Sequence, residues 1–339
     1  MARGGAQKDR APGGVRSRPP ERRYDVATFG EAMIRLSTPA GVRLPVAEAL
    51  SVHVGGAESN VAADLAQLGR RTIWYSALPD HAMGEAVVRR LAAAGVDVSH
   101  VKRVPGARVG VYYLEGGLDA ATPEVIYDRQ ATAFSCITPE DLPLGALLDT
   151  RVLHVSGISA AVGAGPQAAL VRLVEEAQRA GVLLSVDVNY RSRLWEADRA
   201  SEALAPLAAR ADLLFVSASD ASTLFRHTGD PETIVRALAE RSQARVIVLT
   251  RGEQGVLASI DGAIHAIAAI PVQVIDRPGA GDALAAGVLD GVLDGDALAG
   301  VHRGLALAAH ALTQRGDIVT TGRGDLERFM AKPRATIAR

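Results

Sequence analysis

The feature that most constrains the fold is a regular alternation of short apolar runs with longer amphipathic segments in the second half of the chain. The short runs are rich in β-branched residues and predict strands, whereas apolar residues at helical spacing predict helices. Predicted strands lie at 152–156, 183–188, 213–216 and 246–250, and predicted helices at 167–180 and 219–240. Strands joined by such helices predict an α/β fold whose mostly parallel sheet is covered on both faces.

The first half of the chain predicts a smaller β element attached to this sheet. A first strand is expected from Tyr24 to Leu36, turned at Gly30 and Glu31, and a helix at 57–68. Between 101 and 137, strand-like runs at 109–114 and 124–127 are separated by Gly, Asp and Pro, which predicts an inserted β flap. Toward the end of the chain, Asp261-Gly262 predicts a hairpin, and Ala-rich helices are expected at 280–293 and 297–314.

Composition narrows the class of partner. The 339 residues carry a formal net charge of -1, which gives no electrostatic basis for nucleic-acid binding and favours a small molecule. The single cysteine cannot form an internal disulfide, which fits a cytoplasmic location, and no apolar run is long enough to span a membrane. The Arg-, Gly- and Pro-rich residues 1–23 predict a disordered basic tail, followed by one domain at 24–330 and a C-terminal tail at 331–339.

The most informative motif is the run from Asp276 to Asp282, Asp-Arg-Pro-Gly-Ala-Gly-Asp. It follows a predicted strand at 272–275 and opens an apolar helix. Two glycines at a helix N-terminus let unpaired backbone N–H groups face an anion such as a phosphate. We therefore predict that Gly279, Ala280, Gly281 and Asp282, called here the anion loop, hold a transferring phosphoryl group, with Asp282 as the base that accepts a hydroxyl proton.

Taken alone, this run is also explained as a helix cap, because aspartate is common in first turns. A second glycine pair, Gly55 and Gly56, leads into the helix at 57–68 and is followed by Asn60, whose carboxamide we expect to be exposed. Together the two segments resemble the paired signatures of the PfkB carbohydrate kinases. The resemblance covers 24–329 and implies a ribokinase-like fold with a β lid formed by parts of 30–56 and 101–137.

Within that family, further segments are most similar to the 2-keto-3-deoxygluconate kinases: 30–36, 55–60, 153–158, 187–195 and 315–317. The resemblance implies phosphorylation of a terminal hydroxyl of a sugar or sugar acid by ATP with Mg²⁺. It also implies substrate contacts from Gly55, Gly56, Asn60, Tyr112, Tyr127, Arg129, Asn189 and Arg191. Arginine suits a carboxylate through charge-assisted bonds. Alternatively, Arg191 is a solvated loop charge, and Tyr112 and Tyr127 pack the flap.

For ATP, the resemblance implies contacts from Ser217, Asp220, Thr250, Gly252, Gly255, Gly279 and Gly281. The family commonly has Asn-x-x-Glu where this chain has Ser217-Ala218-Ser219-Asp220, so a metal-water role is weaker here or rests on Asp220. We expect no dedicated metal cage and Mg²⁺ arriving with the nucleotide. An exposed edge on the lid predicts a homodimer or higher homo-oligomer through the lid.

Three other functions stay open from the residues alone. A fructokinase or ribokinase would share Asp282 but take a neutral sugar. The run Gly163-Ala164-Gly165 matches part of a dinucleotide fingerprint and permits an NAD-linked oxidoreductase, although 157–162 is too long for the tight turn that such a site requires. A catalytically silent sugar-binding regulator is the third, and the intact Asp282 argues against it. A P-loop kinase is excluded, because its Gly-x4-Gly-Lys-Ser/Thr motif does not occur.

Overall fold

The chain forms two main sheets, one large and one small. The computed structural model describes residues 21–115 and 125–331. The strands are β1 (Tyr24–Phe29), β2 (Met33–Ser37), β3 (Ser51–Gly55), β4 (Thr72–Tyr75), β5 (Ala77–Pro79), β6 (Lys102–Val104), β7 (Gly110–Leu114), β8 (Val125–Asp128), β9 (Thr150–Ser156), β10 (Leu183–Asp187), β11 (Leu213–Ser217), β12 (Val246–Thr250), β13 (Val256–Ile260) and β14 (Ala263–Ile267).

The helices are α1 (Ala57–Gln67), α2 (Ala82–Ala93), α3 (Leu144–Leu147), α4 (Gly157–Ala161), α5 (Ala164–Arg179), α6 (Ala197–Arg210), α7 (Ala218–Phe225), α8 (Pro231–Arg241), α9 (Ala280–Asp294), α10 (Ala297–Leu312) and α11 (Arg323–Ala331). Among the described residues, none of these helices is both long and apolar enough to cross a membrane.

The large sheet has eight strands in the order β14-β13-β12-β11-β10-β9-β1-β4. Pairing is parallel from β4 to β12 and antiparallel in the last three strands, so the predicted mostly parallel sheet is confirmed. The carboxyl ends of the parallel strands meet at one edge, where ligands bind in open α/β sheets.

Two hydrophobic cores cover the two faces of this sheet, because successive side chains of a strand point to opposite sides. In β11, Leu214 and Val216 join the core formed with α5, α6 and α8, whereas Leu213 and Phe215 join the core formed with α1, α9 and α10. The faces therefore hold α9, and with it the anion loop, at a fixed position against the sheet.

The small sheet has four strands in the order β3-β2-β7-β8. Its β2 pairs parallel with β7 and antiparallel with β3, and β7 pairs antiparallel with β8. A separate two-stranded pair is formed by β5 and β6. The small sheet therefore combines two segments far apart in the sequence.

Two predictions about strands differ from the structure. The first strand is interrupted at the predicted turn, residues 30–32, and forms β1 of the large sheet and β2 of the small sheet instead of one strand. The expected strand at 272–275 does not form: this segment makes a backbone bond from Ile275 to the Leu312 carbonyl at 2.7 Å, and Val274 and Ile275 stay exposed. Its β-branched residues lie beside the end of α10 rather than in a sheet. The expected tails fall almost wholly on residues outside those described.

Candidate active site

A cleft lies between the small sheet and the carboxyl edge of the large sheet and encloses about 230 Å³. The small sheet contributes Met33, Gly55, Tyr112, Leu114, Val125 and Tyr127; other segments contribute Glu31, Gly56, Ala57, Asn60, Arg129, Ile158, Arg191, Pro278, Gly279, Asp282 and Asp317. Most of the residues predicted from the sequence for the substrate, and the predicted base, therefore line one cavity. Its volume suits one small ligand.

Asp282 lies in the first turn of α9, where its Oδ2 accepts a hydrogen bond of 2.7 Å from the Asn60 side-chain nitrogen. Removal of the carboxyl from water raises the pKa of Asp282 to about 7, while the Asn60 bond and the Arg191 charge oppose that rise. Asn60 is buried, so the expectation that its carboxamide is exposed was wrong; it is turned inward to hold Asp282. The first turn of α9 therefore carries a carboxyl group whose pKa lies near neutral pH.

The two glycines of the anion loop have different surroundings. Gly279 has a φ of +85°, and a β-carbon there would lie 2.0 Å from the Asp317 carbonyl oxygen, so glycine is required by both backbone and space. No atom lies within 4 Å of a β-carbon built on Gly281. The Ala280 N–H donates to the Arg277 carbonyl at 3.4 Å. The other first-turn N–H groups of a helix have no partner within it, so this side of the loop can receive an anion.

Tyr112 and Tyr127 face each other across β7 and β8, with ring centroids 5.8 Å apart. The Tyr112 hydroxyl donates to Asp317 Oδ1 at 2.5 Å, and this burial beside a carboxylate raises the pKa of Tyr112 well above its usual range. Tyr112 therefore remains a neutral donor. Both tyrosines line the cleft as well as packing the small sheet.

The two predicted arginines differ in what they bind. Arg129 is buried and donates through Nε (3.1 Å) and Nη2 (2.5 Å) to Glu31 Oε2, so an internal carboxylate already compensates its charge. Arg191 is exposed, and its side chain donates to the Tyr190 carbonyl at 3.3 Å. Burial raises the pKa of the Asp187, Asp220 and Asp282 carboxyls, and the Arg191 charge opposes that rise.

Asn189 is the one predicted substrate residue that does not line the cleft. Its φ of +41° turns the loop after β10, and its amide donates to Asp187 Oδ2 at 3.3 Å. Burial raises the pKa of Asp187 to about 8, and the nearby charges of Asp282 and Asp220 add to that effect. Asn189 thus binds Asp187 and is absent from the cavity wall.

The residues expected to contact ATP lie along the same edge of the large sheet. Ser217 ends β11 and accepts the backbone N–H of Asp220 at 2.9 Å, and Thr250 ends β12. Gly252 and Gly255 both have positive φ, and a β-carbon on Gly255 would lie 2.1 Å from the Ile267 carbonyl oxygen. Close packing against β14 therefore explains Gly255 without any ligand.

Sequence reasoning missed four charged residues at or beside the cleft: Glu31, Arg35, Asp187 and Asp317. Each lies within a segment that supported the family resemblance, at 30–36, 187–195 or 315–317. Nothing in those segments shows which of their residues face one another. Among the described residues, no group of three side chains has the arrangement of a metal site.

The dinucleotide-like glycines serve packing. Gly163 precedes α5, and a β-carbon on Gly165 would lie 2.3 Å from the Ile137 carbonyl oxygen. The short helix α4 separates them from β9. They do not form the tight strand-to-helix turn of a dinucleotide site.

A mostly parallel α/β sheet with a carboxylate at a helix N-terminus under a small sheet is the arrangement expected of a small-molecule phosphotransferase. Residues 23–321 match the model of the pfkB family carbohydrate kinases, and the chain belongs to that family. It is therefore a carbohydrate kinase, which excludes the NAD-linked oxidoreductase.

Similar proteins support this assignment. The 2-dehydro-3-deoxygalactonokinase of Haloferax volcanii is 33% identical over 90% of this chain and 96% of its own length. The 2-dehydro-3-deoxygluconokinase of Bacillus subtilis is 31% identical over 87% of this chain and 92% of its own length. The crystal structure of 2-dehydro-3-deoxygluconokinase from Thermotoga maritima has a TM-score of 0.87 and 29% identity, covering 91% of this chain and 100% of that one. The ribokinase-like fold predicted from the sequence is confirmed.

Proposed function

We propose that this chain transfers the γ-phosphoryl group of ATP to the terminal hydroxyl of a 2-keto-3-deoxy sugar acid, 2-keto-3-deoxygluconate being the first candidate. The observation that carries the proposal is the position of Asp282, the last residue of the anion loop, at the wall of the same cavity that Arg191 lines. The names of the similar kinases add the substrate class.

In this mechanism, the acceptor sugar binds between Tyr112, Tyr127 and Asn60, with its terminal hydroxyl at Asp282. Asp282 is the general base, and its pKa of about 7 suits proton acceptance at neutral pH. The amides of the anion loop stabilise charge on the transferring phosphoryl group. Arg191 is the group that recognises the substrate carboxylate. Among the described residues, its side chain donates to the Tyr190 carbonyl and forms no ion pair with a carboxylate of the cleft.

Mg²⁺ fits this site as a companion of the nucleotide. Asp187 and Asp220 lie close enough that the charge of Asp220 raises the pKa of Asp187, and a cation relieves such repulsion. Asp220 and Ser217 are the residues that would meet the nucleotide's metal or its water shell. When bound, Mg²⁺ neutralises phosphate charge.

A neutral-sugar kinase is the second candidate, and one observation favours it. Because Glu31 already pairs with Arg129, the recognition of a carboxylate depends on Arg191 alone, and the Asp317 carboxylate at the wall suits a neutral ligand better than an acidic one. The test is an ATP-coupled screen with 2-keto-3-deoxygluconate, 2-keto-3-deoxygalactonate, fructose and ribose. Preference for either acid supports the proposal, whereas preference for fructose or ribose contradicts it.

We also propose that the small sheet acts as a lid of the 24–330 kinase unit and as a homodimer interface. Val125 and Tyr127 line the cleft, so Ile126 between them points outward, where it and Val52 are exposed. Such an apolar outer face suits a second copy of the chain. Light scattering of Val52→Glu should give a monomer if this face is the interface; an unchanged mass would exclude it.

A further inference from the structure

Arg35 lies at the centre of a buried ionic network that the proposed mechanism does not use. The residue belongs to β2, and its side chain is 3% exposed. Its Nε donates to Ser37 Oγ at 2.7 Å, Nη1 donates to Asp317 Oδ2 at 2.9 Å, and Nη2 donates to Asp276 Oδ2. One guanidinium group therefore joins the small sheet to the loop before α9, which holds Asp276, and to the loop after α10, which holds Asp317.

One end of this network reaches the anion loop. Asp276 lies three residues before Gly279, and its carboxylate also accepts the backbone N–H groups of Arg277 and Gly316, both at 3.1 Å. Asp317 packs its carbonyl oxygen against Gly279, where a β-carbon would lie only 2.0 Å away. A movement of Asp276 or Asp317 therefore displaces the loop that would receive the phosphate.

The other end of the network reaches the cavity. Asp317 Oδ1 accepts the Tyr112 hydroxyl at 2.5 Å, and both residues line the cleft. A β-carbon on Gly55 would lie 2.5 Å from Asp317 Oδ1 and 2.9 Å from the Tyr112 hydroxyl, so no side chain separates this pair from the first glycine segment. A ligand in the cleft would contact the same carboxylate that Arg35 holds.

The chemistry of the network requires arginine. Two buried carboxylates are bridged by one planar guanidinium, whose donors are fixed in a fork; a lysine ammonium at this site would be a single point charge. Removing one partner of a buried pair leaves an uncompensated charge, whereas the pair itself contributes little net stability. Such pairs are best explained by the geometry that they impose.

We infer that Arg35 is a positioning residue that fastens the small sheet to the anion loop through Asp276 and Asp317, so that a ligand bound at Tyr112 and Asp317 sets the position of that loop. This inference rests on the proposed role of the loop in binding phosphate. Arg35 itself touches neither the reacting hydroxyl nor Asp282.

The experiment compares three variants of the full chain: Arg35→Met, Asp276→Asn and Arg303→Met. The first removes the bridge, and the second removes the negative charge at its Asp276 end while leaving the Arg35–Asp317 pair. Arg303→Met is the control for loss of an ion pair away from the cleft: Arg303 pairs with the buried Asp290 between α9 and α10, where Arg70 and Arg323 also pair with Asp290. Asp276→Asn keeps the test valid if Arg35→Met fails to fold.

The readout is thermodynamic coupling between the two ligands. The Kd of a non-hydrolysable ATP analogue is measured with and without the acceptor that the wild type phosphorylates best. We expect the acceptor to tighten analogue binding by about 5-fold or more in the wild type and in Arg303→Met, and by less than about 2-fold in Arg35→Met and Asp276→Asn. A loop displaced by about 1 Å should also lower kcat by about 100-fold in these two variants.

The outcomes separate this inference from the proposed function. If the wild type shows no coupling, or if Arg35→Met and Asp276→Asn keep both the coupling and kcat, the positioning role is wrong although the kinase assignment stands. If Arg303→Met loses coupling to the same extent, the effect is general destabilisation, and the positioning role is again wrong. A preference for neutral sugars in the acceptor screen would instead contradict the proposed substrate. The coupling would still be measurable with whichever sugar the wild type phosphorylates.

Discussion

The side-chain amide of Asn60 donates to Asp282 Oδ2 at 2.7 Å, across 222 positions of sequence. This bond joins the first turn of α1 to the first turn of α9, the two helices that follow the glycine pairs. It fixes one carboxylate oxygen of Asp282, whose residue lines the cleft. The two glycine segments recognised in the sequence therefore lie side by side at one cleft.

Replacing Asp282 with Asn should lower turnover by about 10² to 10⁴-fold, because the variant keeps the size and the Asn60 contact but cannot accept a proton. The measurement is kcat with saturating ATP and acceptor, with binding of the ATP analogue as the control for an intact loop. Turnover close to wild type would remove Asp282 from its proposed role.

The rate should depend on pH through the same carboxyl. Since the pKa of Asp282 is raised to about 7, kcat/KM should fall as the pH is lowered through 7, where the base becomes protonated. Arg191 lowers this pKa, so Arg191→Ala should move the acid limb to higher pH. The measurement needs an assay whose response does not itself change with pH. A flat profile of kcat/KM between pH 5 and 8 would contradict a titrating base.

The free energy of unfolding should change with pH in the direction opposite to kcat/KM. A folded-state pKa raised above the ordinary 3.8 means that the native state binds more protons than the unfolded chain between about pH 4 and 7. This carboxyl therefore makes the wild type progressively less stable as the pH rises through that window. Melting curves should show Asp282→Asn gaining in Tm over the wild type from pH 5 to 8, and a constant difference would disagree.

The two loop glycines should respond differently to substitution. Gly281→Val adds a side chain where the protein has open space, so it should abolish activity by crowding the phosphate while shifting Tm by less than about 3 °C. Gly279→Ala meets a positive φ and the Asp317 carbonyl, so it should destabilise the fold by about 1 to 3 kcal/mol. Activity retained in Gly281→Val would favour the simple helix cap.

Arg191→Ala should reduce kcat/KM for 2-keto-3-deoxygluconate by about 10- to 150-fold, the equivalent of one charge-assisted bond of about 1.5 to 3 kcal/mol. The value for fructose should change little. Arg193→Ala is the control, because Arg193 lies in the same loop but donates to the Val125 carbonyl and does not line the cleft. An equal loss for both sugars would locate the damage at the phosphate site.

The alternation of apolar patterns was enough to predict the large sheet, and the predicted strand at 246–250 matches β12 residue for residue. Patterns of this kind report how a segment is buried, and a parallel strand buried on both faces is apolar along its whole length. The same signal failed at 272–275, because β-branched residues beside a helix end resemble a strand when only the sequence is read. For 24–36 the pattern predicted one strand with a turn at Gly30 and Glu31, whereas the structure has two strands in different sheets.

At the site, the sequence by itself determined the local character of single segments: glycines that precede or open a helix, and Asp282 in the first turn of α9. Only the tertiary structure decided which charges meet. Arg35 and Asp317 are 282 positions apart, Glu31 neutralises Arg129 from a different element, and Asn60 is turned inward rather than outward. A local motif is set by backbone geometry within a few residues, whereas charge pairing depends on distances that exist only after the two sheets have packed against each other.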